Sequence, residues 1–266
     1  MIMSEYTLQN STITTLLERR SIRQWADEPI PDDVIETLQS VAQHAPTSEF
    51  LNDWSAIRIT DPNVAAQLAE IGNQPYIAQA PLLYVFVADE HRNMQIAQSH
   101  DAEFTEDTVS FTSSYRFVQA HNDVILAMHA METAANSLGL GCVYLGSILN
   151  NIDKLIEILH LPKYTFPVLG LAIGKPAQEP MIKPRMSQSM QFFENHYPEA
   201  DDTQFTQQLN ENLADFDKRV HQYYDLRHAD RPVAAFSDQV VKNAQKDLSK
   251  KNITTPAAAQ GFQLNR

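Results

Sequence analysis

Seven glycines and one cysteine in 266 residues set the first limits on this chain. So few glycines leave no G-x-G-x-x-G after a strand. Gly139 and Gly141 stand at the end of a helical stretch with no third partner, so a dinucleotide held in a doubly wound fold is not expected. The same scarcity leaves no P-loop and no G-x-S-x-G nucleophile elbow. The single cysteine, Cys142, cannot close an internal disulfide and fits a reducing, cytoplasmic compartment. With no cysteine pair and no H-E-x-x-H, no metal site is expected. His121 and His129 share a helix but are too far apart to be adjacent ligands. No apolar run nears the ~20 residues that a bilayer requires, and Met1-Ile2-Met3 leads straight into polar residues, so neither a span nor a secretory leader is expected. Basic charge is short as well: 20 Lys and Arg against 33 Asp and Glu give a net −13. A surface that acidic repels nucleic acid and anionic lipid. Nucleophilic, metal and acid–base catalysis have no visible apparatus, so any enzymatic reactivity is expected from a bound cofactor.

What is present has a clear order. Ser11 or Thr12 caps a first helix running to about Arg20. Pro31-Asp32-Asp33 opens a second, which Ala45-Pro46 ends. Trp54–Thr60 alternates like a strand, and Asp61-Pro62 starts a helix that ends at Gly72. Pro81–Ala88 is continuously apolar, as a central strand buried on both faces should be. Residues 99–114 read as a long mobile loop. A helix from about Phe117 to Leu138 is apolar nearly all round, so it belongs at a domain centre or in a subunit interface. Cys142–Leu145 and Pro167–Gly174 are strands, with a helix from Asn151 between them. Residues 176–202, with four prolines, form an extended arm. Two polar helices, near 203–225 and 236–249, and a frayed tail follow. The order of elements gives one α/β or α+β domain over 1–266: core 11–175, arm and C-terminal helices 176–250, tail 251–266.

Against the acidic background, Arg19-Arg20-Ser21-Ile22-Arg23 places three guanidinium groups and a hydroxyl within five residues. Guanidinium forks match phosphate oxygens, so the cluster points to a small phosphorylated ligand. A solvated charge run is the alternative. Lys183-Pro184-Arg185 is a second cationic point, restricted by its proline. Tyr144-Leu145-Gly146-Ser147, at a strand end, is a third element. Glycine there lets a backbone N–H approach a flat ligand, although an ordinary turn reads the same.

These elements, in this order, resemble the nitroreductase family of flavin enzymes, closest to its NADPH-dependent, oxygen-insensitive nitroreductase and FMN reductase subgroup. The likeness also runs through Asp27-Glu28-Pro29-Ile30, Ile57–Asp61, Ile77-Ala78-Gln79-Ala80, Ser137–Gly141, Val143-Tyr144 and Asn150-Asn151-Ile152. It implies an α+β sandwich with a central, mostly antiparallel sheet flanked by helices. It further implies a C-terminal extension that wraps the partner in a homodimer, with one noncovalent FMN per site. Carried over residue by residue, Arg19, Ser21, Lys183 and Arg185 hold the FMN phosphate, and Arg20 is a further cofactor-binding candidate. Arg23 lies beside the N1/O2 edge, where charge develops on reduction, and Gln74 at the pyrimidine edge. The Leu145-Gly146 backbone reaches N5, Thr47 and Ser48 touch the flavin, and Tyr144 packs near the ring. Arg227 and Arg231 are candidates for the 2′-phosphate of NADPH.

The implied activity is hydride transfer from NADPH, or NADH, through FMN to small acceptors such as nitroaromatics, quinones or free flavin, by a ping-pong cycle. A noncatalytic FMN store, or another flavin reaction on the same fold, would use the same clusters. Four departures bear on the pocket, one of them a 99–114 loop longer than the subgroup implies. Ala45-Pro46-Thr47-Ser48 replaces a serine run, Ser147 replaces the second glycine of Tyr-x-Gly-Gly, and Leu149 replaces a basic residue.

Overall fold

The computed structural model describes residues 8–100, 102–105, 108–199, 201–223, 234–248 and 251–265. They fall into two units: one runs to Gln178 and resumes at Lys251, and the other is Glu179–Lys250. In the first unit the elements are α1 (Ser11–Leu17), α2 (Asp32–Gln43), β1 (Trp54–Arg58), α3 (Pro62–Gly72), β2 (Leu82–Asp89), α4 (Glu90–Ser99), α5 (Ser114–Ser137), β3 (Gly141–Leu145), α6 (Ile152–Ile158) and β4 (Thr165–Gly174). The second unit holds α7 (Thr203–His221) and α8 (Phe236–Ala244), and α9 (Thr254–Ala259) returns to the first.

The four strands form one sheet in the order β1-β2-β4-β3, every pairing antiparallel. Strand alternation explains why β2 is apolar from Leu82 to Ala88. Leu82, Tyr84, Phe86 and Ala88 point into a core with α2 and α5, while Leu83, Val85 and Val87 point into a second core with α3 and α6. Both faces are covered, so no position before Asp89, which ends the strand and caps α4, is left for a charged side chain. The α+β sandwich is therefore as the resemblance implies.

Sequence reading and structure part in four places. The cap of α1 is Asn10, which accepts from the Ile13 amide, and the helix stops at Leu17. The arginine cluster thus lies beyond the helix, in extended chain. Helix α4 went unpredicted because Glu90–Ser99 is polar with little amphipathic period, yet Asp89 caps it through the Arg92 amide. The 99–114 stretch is not one long loop: Val109 and Thr112 are buried, and Ser113 caps α5. Finally, the tail does not fray. Phe262 is buried with its ring centroid 4.8 Å from that of Phe117, and Gln260 donates to the Pro162 and Thr165 carbonyls.

Candidate functional site

The Arg19–Arg23 segment is fixed along the outer edge of β3. Ser21 pairs with Cys142 in a parallel bridge, and the Ile22 amide donates to the Cys142 carbonyl at 2.9 Å. The approach is so close that a Cβ on Gly141 would lie 2.4 Å from Ile22. Trp25 Nε1 donates to the Gly141 carbonyl, and the Arg23 amide to Gln178. Packing and ladder hydrogen bonds therefore set where these guanidinium groups emerge.

Arg19 does not face outward alone. Its Nε donates to Glu132 Oε1 at 2.5 Å, one Nη lies 3.4 Å from Ser21 Oγ, and its guanidinium carbon sits 5.6 Å from the centre of the Tyr144 ring. Tyr144 donates to Glu132 Oε2 at 2.5 Å, and His129 Nδ1 lies 3.3 Å from that oxygen. The Glu132 side chain is only 2 % exposed. Burial, then the bond to Glu132, pushes the Tyr144 phenol above its ordinary range, so it remains a donor. Burial likewise pushes the Cys142 thiol up, which suits an inert core residue rather than a nucleophile.

A second network starts three residues further on. Ser147 Oγ donates to Gln74 Oε1 at 2.8 Å, and Tyr76 Oη donates to the same atom at 2.6 Å. With its oxygen occupied twice, Gln74 has its NH₂ left to offer as a donor. Between the two networks lie buried Leu145 and exposed Gly146. A Cβ on Gly146 would meet only Leu169 Cδ1 at 3.7 Å, an ordinary contact, so nothing in the folded chain requires glycine there. A flat group could lie on the open Leu145-Gly146 backbone. In this respect the residues fit a flavin ring.

Thr47 and Ser48 are placed elsewhere. Ser48 donates to Asp123 on α5 through its amide (2.7 Å) and its hydroxyl (3.0 Å). Asp123 and Glu132 are nine residues apart, about two and a half turns, so they leave opposite sides of α5. One chain therefore puts Arg19, Tyr144 and Gly146 on one side of that helix and Ser48 on the other. Lys183 and Arg185 belong to the second unit, where both are exposed and Arg185 donates to the Lys183 carbonyl at 2.7 Å. Arg227 and Arg231 lie outside the described residues. A cavity of about 440 Å³ beside β1 is lined by Gln39, Trp54, Tyr84 and Arg92, and by none of the sequence-predicted residues.

Sequence reasoning missed Glu132, Asp123 and Tyr76. The first two carried a signal: each is an acid set in the apolar run of α5. Among the described residues no group of His, Cys, Asp or Glu could hold a metal ion, and no helix is long and apolar enough to cross a membrane.

Comparison with known proteins covers nearly the whole chain. Residues 16–175 match the model described as the nitroreductase family, and residues 183–265 match its C-terminal domain. The FMN reductase (NADPH) of Bacillus subtilis strain 168 is 34 % identical over 261 residues, covering 96 % of this chain and all of that one. An NADPH-dependent oxidoreductase of Staphylococcus aureus strain USA300 is 32 % identical over 225 residues, 84 % of this chain and 86 % of its own. The solved structure of NfrA2 from B. megaterium superposes with a TM-score of 0.85 at 29 % identity, covering 97 % of this chain and 100 % of that chain.

Proposed function

This chain belongs to the nitroreductase family, and we propose that it is an FMN-dependent oxidoreductase that uses NADPH to reduce small acceptors in a ping-pong cycle. The observation that carries the reading is the end of β3, where the Leu145-Gly146 backbone lies open between a guanidinium–carboxylate network and a fixed amide donor. FMN bound there would supply the hydride-transfer chemistry between nicotinamide and acceptor. The chain's own residues bind and orient. Arg19, Arg20 and Ser21 hold the phosphate, and Lys183 and Arg185 are assigned to it from sequence alone. Glu132 and Tyr144 fix the direction of Arg19. Arg23 stabilises charge at the N1/O2 edge. Gln74, oriented by Ser147 and Tyr76, donates to a pyrimidine carbonyl. Arg227 and Arg231 are assigned the 2′-phosphate of NADPH. Nitroaromatics, quinones and free flavin are the proposed acceptors, and the single buried cysteine suits a cytoplasmic setting.

The test is direct. The purified protein should release FMN, not FAD, on denaturation, and NADPH added anaerobically should bleach the bound flavin within the mixing time. It should do so with a higher kcat/KM than NADH. Flavin that stays oxidised in NADPH would make the protein a carrier instead, and absence of any bound or bindable flavin would end the reading.

A homodimer is part of the proposal, because Ser48 and the Arg19–Gly146 region cannot meet one flavin within one chain. The exposed apolar residues Val118, Ile125 and Leu126 on α5 support it. Ile125→Asp with Leu126→Asp should shift the protein toward monomer and strip its flavin, as read by light scattering and absorbance. A dimer that persists at micromolar concentration with FMN bound would place the interface elsewhere.

A further inference from the structure

The Lys183-Pro184-Arg185 stretch has a neighbour within the second unit that the proposed reaction does not use. Helix α7 follows Asp202, whose carboxylate accepts from the Phe205 amide, and it ends in a basic turn of Lys218, Arg219 and His221. Its apolar residues Phe216 and Val220 are buried. The Phe216 ring packs on Phe236 of α8 with centroids 5.1 Å apart. Beside it, Asp217 accepts from the Ser237 amide at 3.0 Å and from the Ser237 hydroxyl at 2.5 Å. Ring packing and hydrogen bonds to the next helix therefore hold the end of α7.

Arg219 projects from that fixed end. Its Nε donates to Asp215 Oδ2, one turn back, at 2.9 Å, and its guanidinium carbon lies 5.4 Å from the centre of the Phe216 ring. One Nη, so aimed, donates to the Arg185 carbonyl at 3.0 Å. An Asp–Arg pair four residues apart on a helix surface contributes little by itself. Here it directs a further bond to the backbone of a segment 34 residues earlier. That backbone needs a fixed point. Pro184 sets its own φ and restricts Lys183, but leaves open where the segment as a whole is aimed. The Arg185 side chain cannot serve as the anchor while it binds a ligand. It is folded back on the carbonyls of residues 183 and 184, and must leave them to reach a phosphate.

We propose that Arg219 is a positioning residue for the FMN phosphate: directed by Asp215 and the Phe216 ring, it holds the Arg185 carbonyl, so that Lys183 and Arg185 meet the phosphate from a backbone already in place. The proposal rests on the reading that Lys183 and Arg185 hold that phosphate. A segment held in advance need not be ordered on binding, so loss of the anchor reads as lost affinity. Asp215 separates positioning from simple attraction between charges. On charge alone, an acid near the site repels the phosphate, and removing it should tighten FMN. As the group that aims Arg219, Asp215 has the opposite effect, and removing it should weaken FMN.

The experiment titrates the full-length apoprotein with FMN and with riboflavin, which has the same ring and ribityl chain but no phosphate, and reads both dissociation constants by fluorescence. Urea unfolding establishes that each variant is folded. Arg219→Ala should lose about three- to ten-fold in FMN affinity, the worth of one such hydrogen bond, and leave riboflavin unchanged. Asp215→Asn should weaken FMN by a smaller factor and also leave riboflavin unchanged. Added to Lys183→Ala with Arg185→Ala, Arg219→Ala should cost nothing further, because the groups it positions are gone. Equal losses for FMN and riboflavin, unchanged FMN affinity in Arg219→Ala, or tighter FMN in Asp215→Asn would each overturn the proposal while leaving the phosphate site intact. A preference for FMN over riboflavin that survives Lys183→Ala with Arg185→Ala would overturn the phosphate reading, and the proposal with it. A wild type that binds neither flavin would end the flavin reading altogether.

Discussion

Replacing Glu132 with alanine should lower the stability of the protein by about 3–5 kcal/mol, the cost of breaking a buried ion pair from one side. The Glu132 carboxylate is 2 % exposed and takes the Arg19 Nε, the Tyr144 hydroxyl and the His129 ring. Its loss leaves a guanidinium that is only 24 % exposed facing a cavity, and a half-buried phenol with only the His129 ring, 3.4 Å away, in reach. Neither can regain water without moving the segment that runs beside β3. Urea unfolding should show the midpoint falling with the slope unchanged. Glu132→Gln, which keeps an acceptor but drops the charge, should lie between the two. A loss under about 1 kcal/mol in Glu132→Ala would mean that Arg19 and Tyr144 find other partners, and that the network does not fix Arg19. Fluorescence titration with FMN would then separate a folding role from a binding one: the variant should weaken FMN even where it is fully folded.

The second large effect concerns Lys183 and Arg185. Charge-assisted hydrogen bonds are worth roughly 1.5–3 kcal/mol each, so removing both side chains should weaken FMN by about two to four orders of magnitude. The double alanine variant should purify colourless. Arg185 also donates to the carbonyls of residues 183 and 184, so Lys183→Ala alone is the control. It removes a charge without touching those bonds and should still cost about ten-fold or more. An affinity within three-fold of wild type in the double variant would remove both residues from the phosphate site.

How far the chain could be read differs by element, for physical reasons. β2 was legible because burial on both faces leaves little room for charged residues, and Leu82–Ala88 carries that record before Asp89 ends the strand. α5 was legible as a buried helix for the same reason. Its two acids were not interpretable, since the partners that justify Asp123 and Glu132 lie 75 and 113 residues away, at Ser48 and Arg19. α4 stayed hidden because a cap and a tertiary contact, rather than an apolar stripe, stabilise it. The flavin-like constellation was readable as an ordered set of short matches. The division of labour within it was not: sequence groups Thr47 and Ser48 with Gly146, and only the path of α5 shows that they leave it on opposite sides.

The return of the chain at Lys251 bears on how the protein is made. The first unit needs Phe262 against Phe117 and Gln260 against Pro162 and Thr165 to close its core. Those residues leave the ribosome only after the whole Glu179–Lys250 stretch has been synthesised. Its sheet can form earlier, but the aromatic end of the α5 core stays open until then. Domains that are continuous in sequence can fold as they emerge. This one must wait, and for that interval Phe117 and Phe166 are surfaces that a chaperone would recognise.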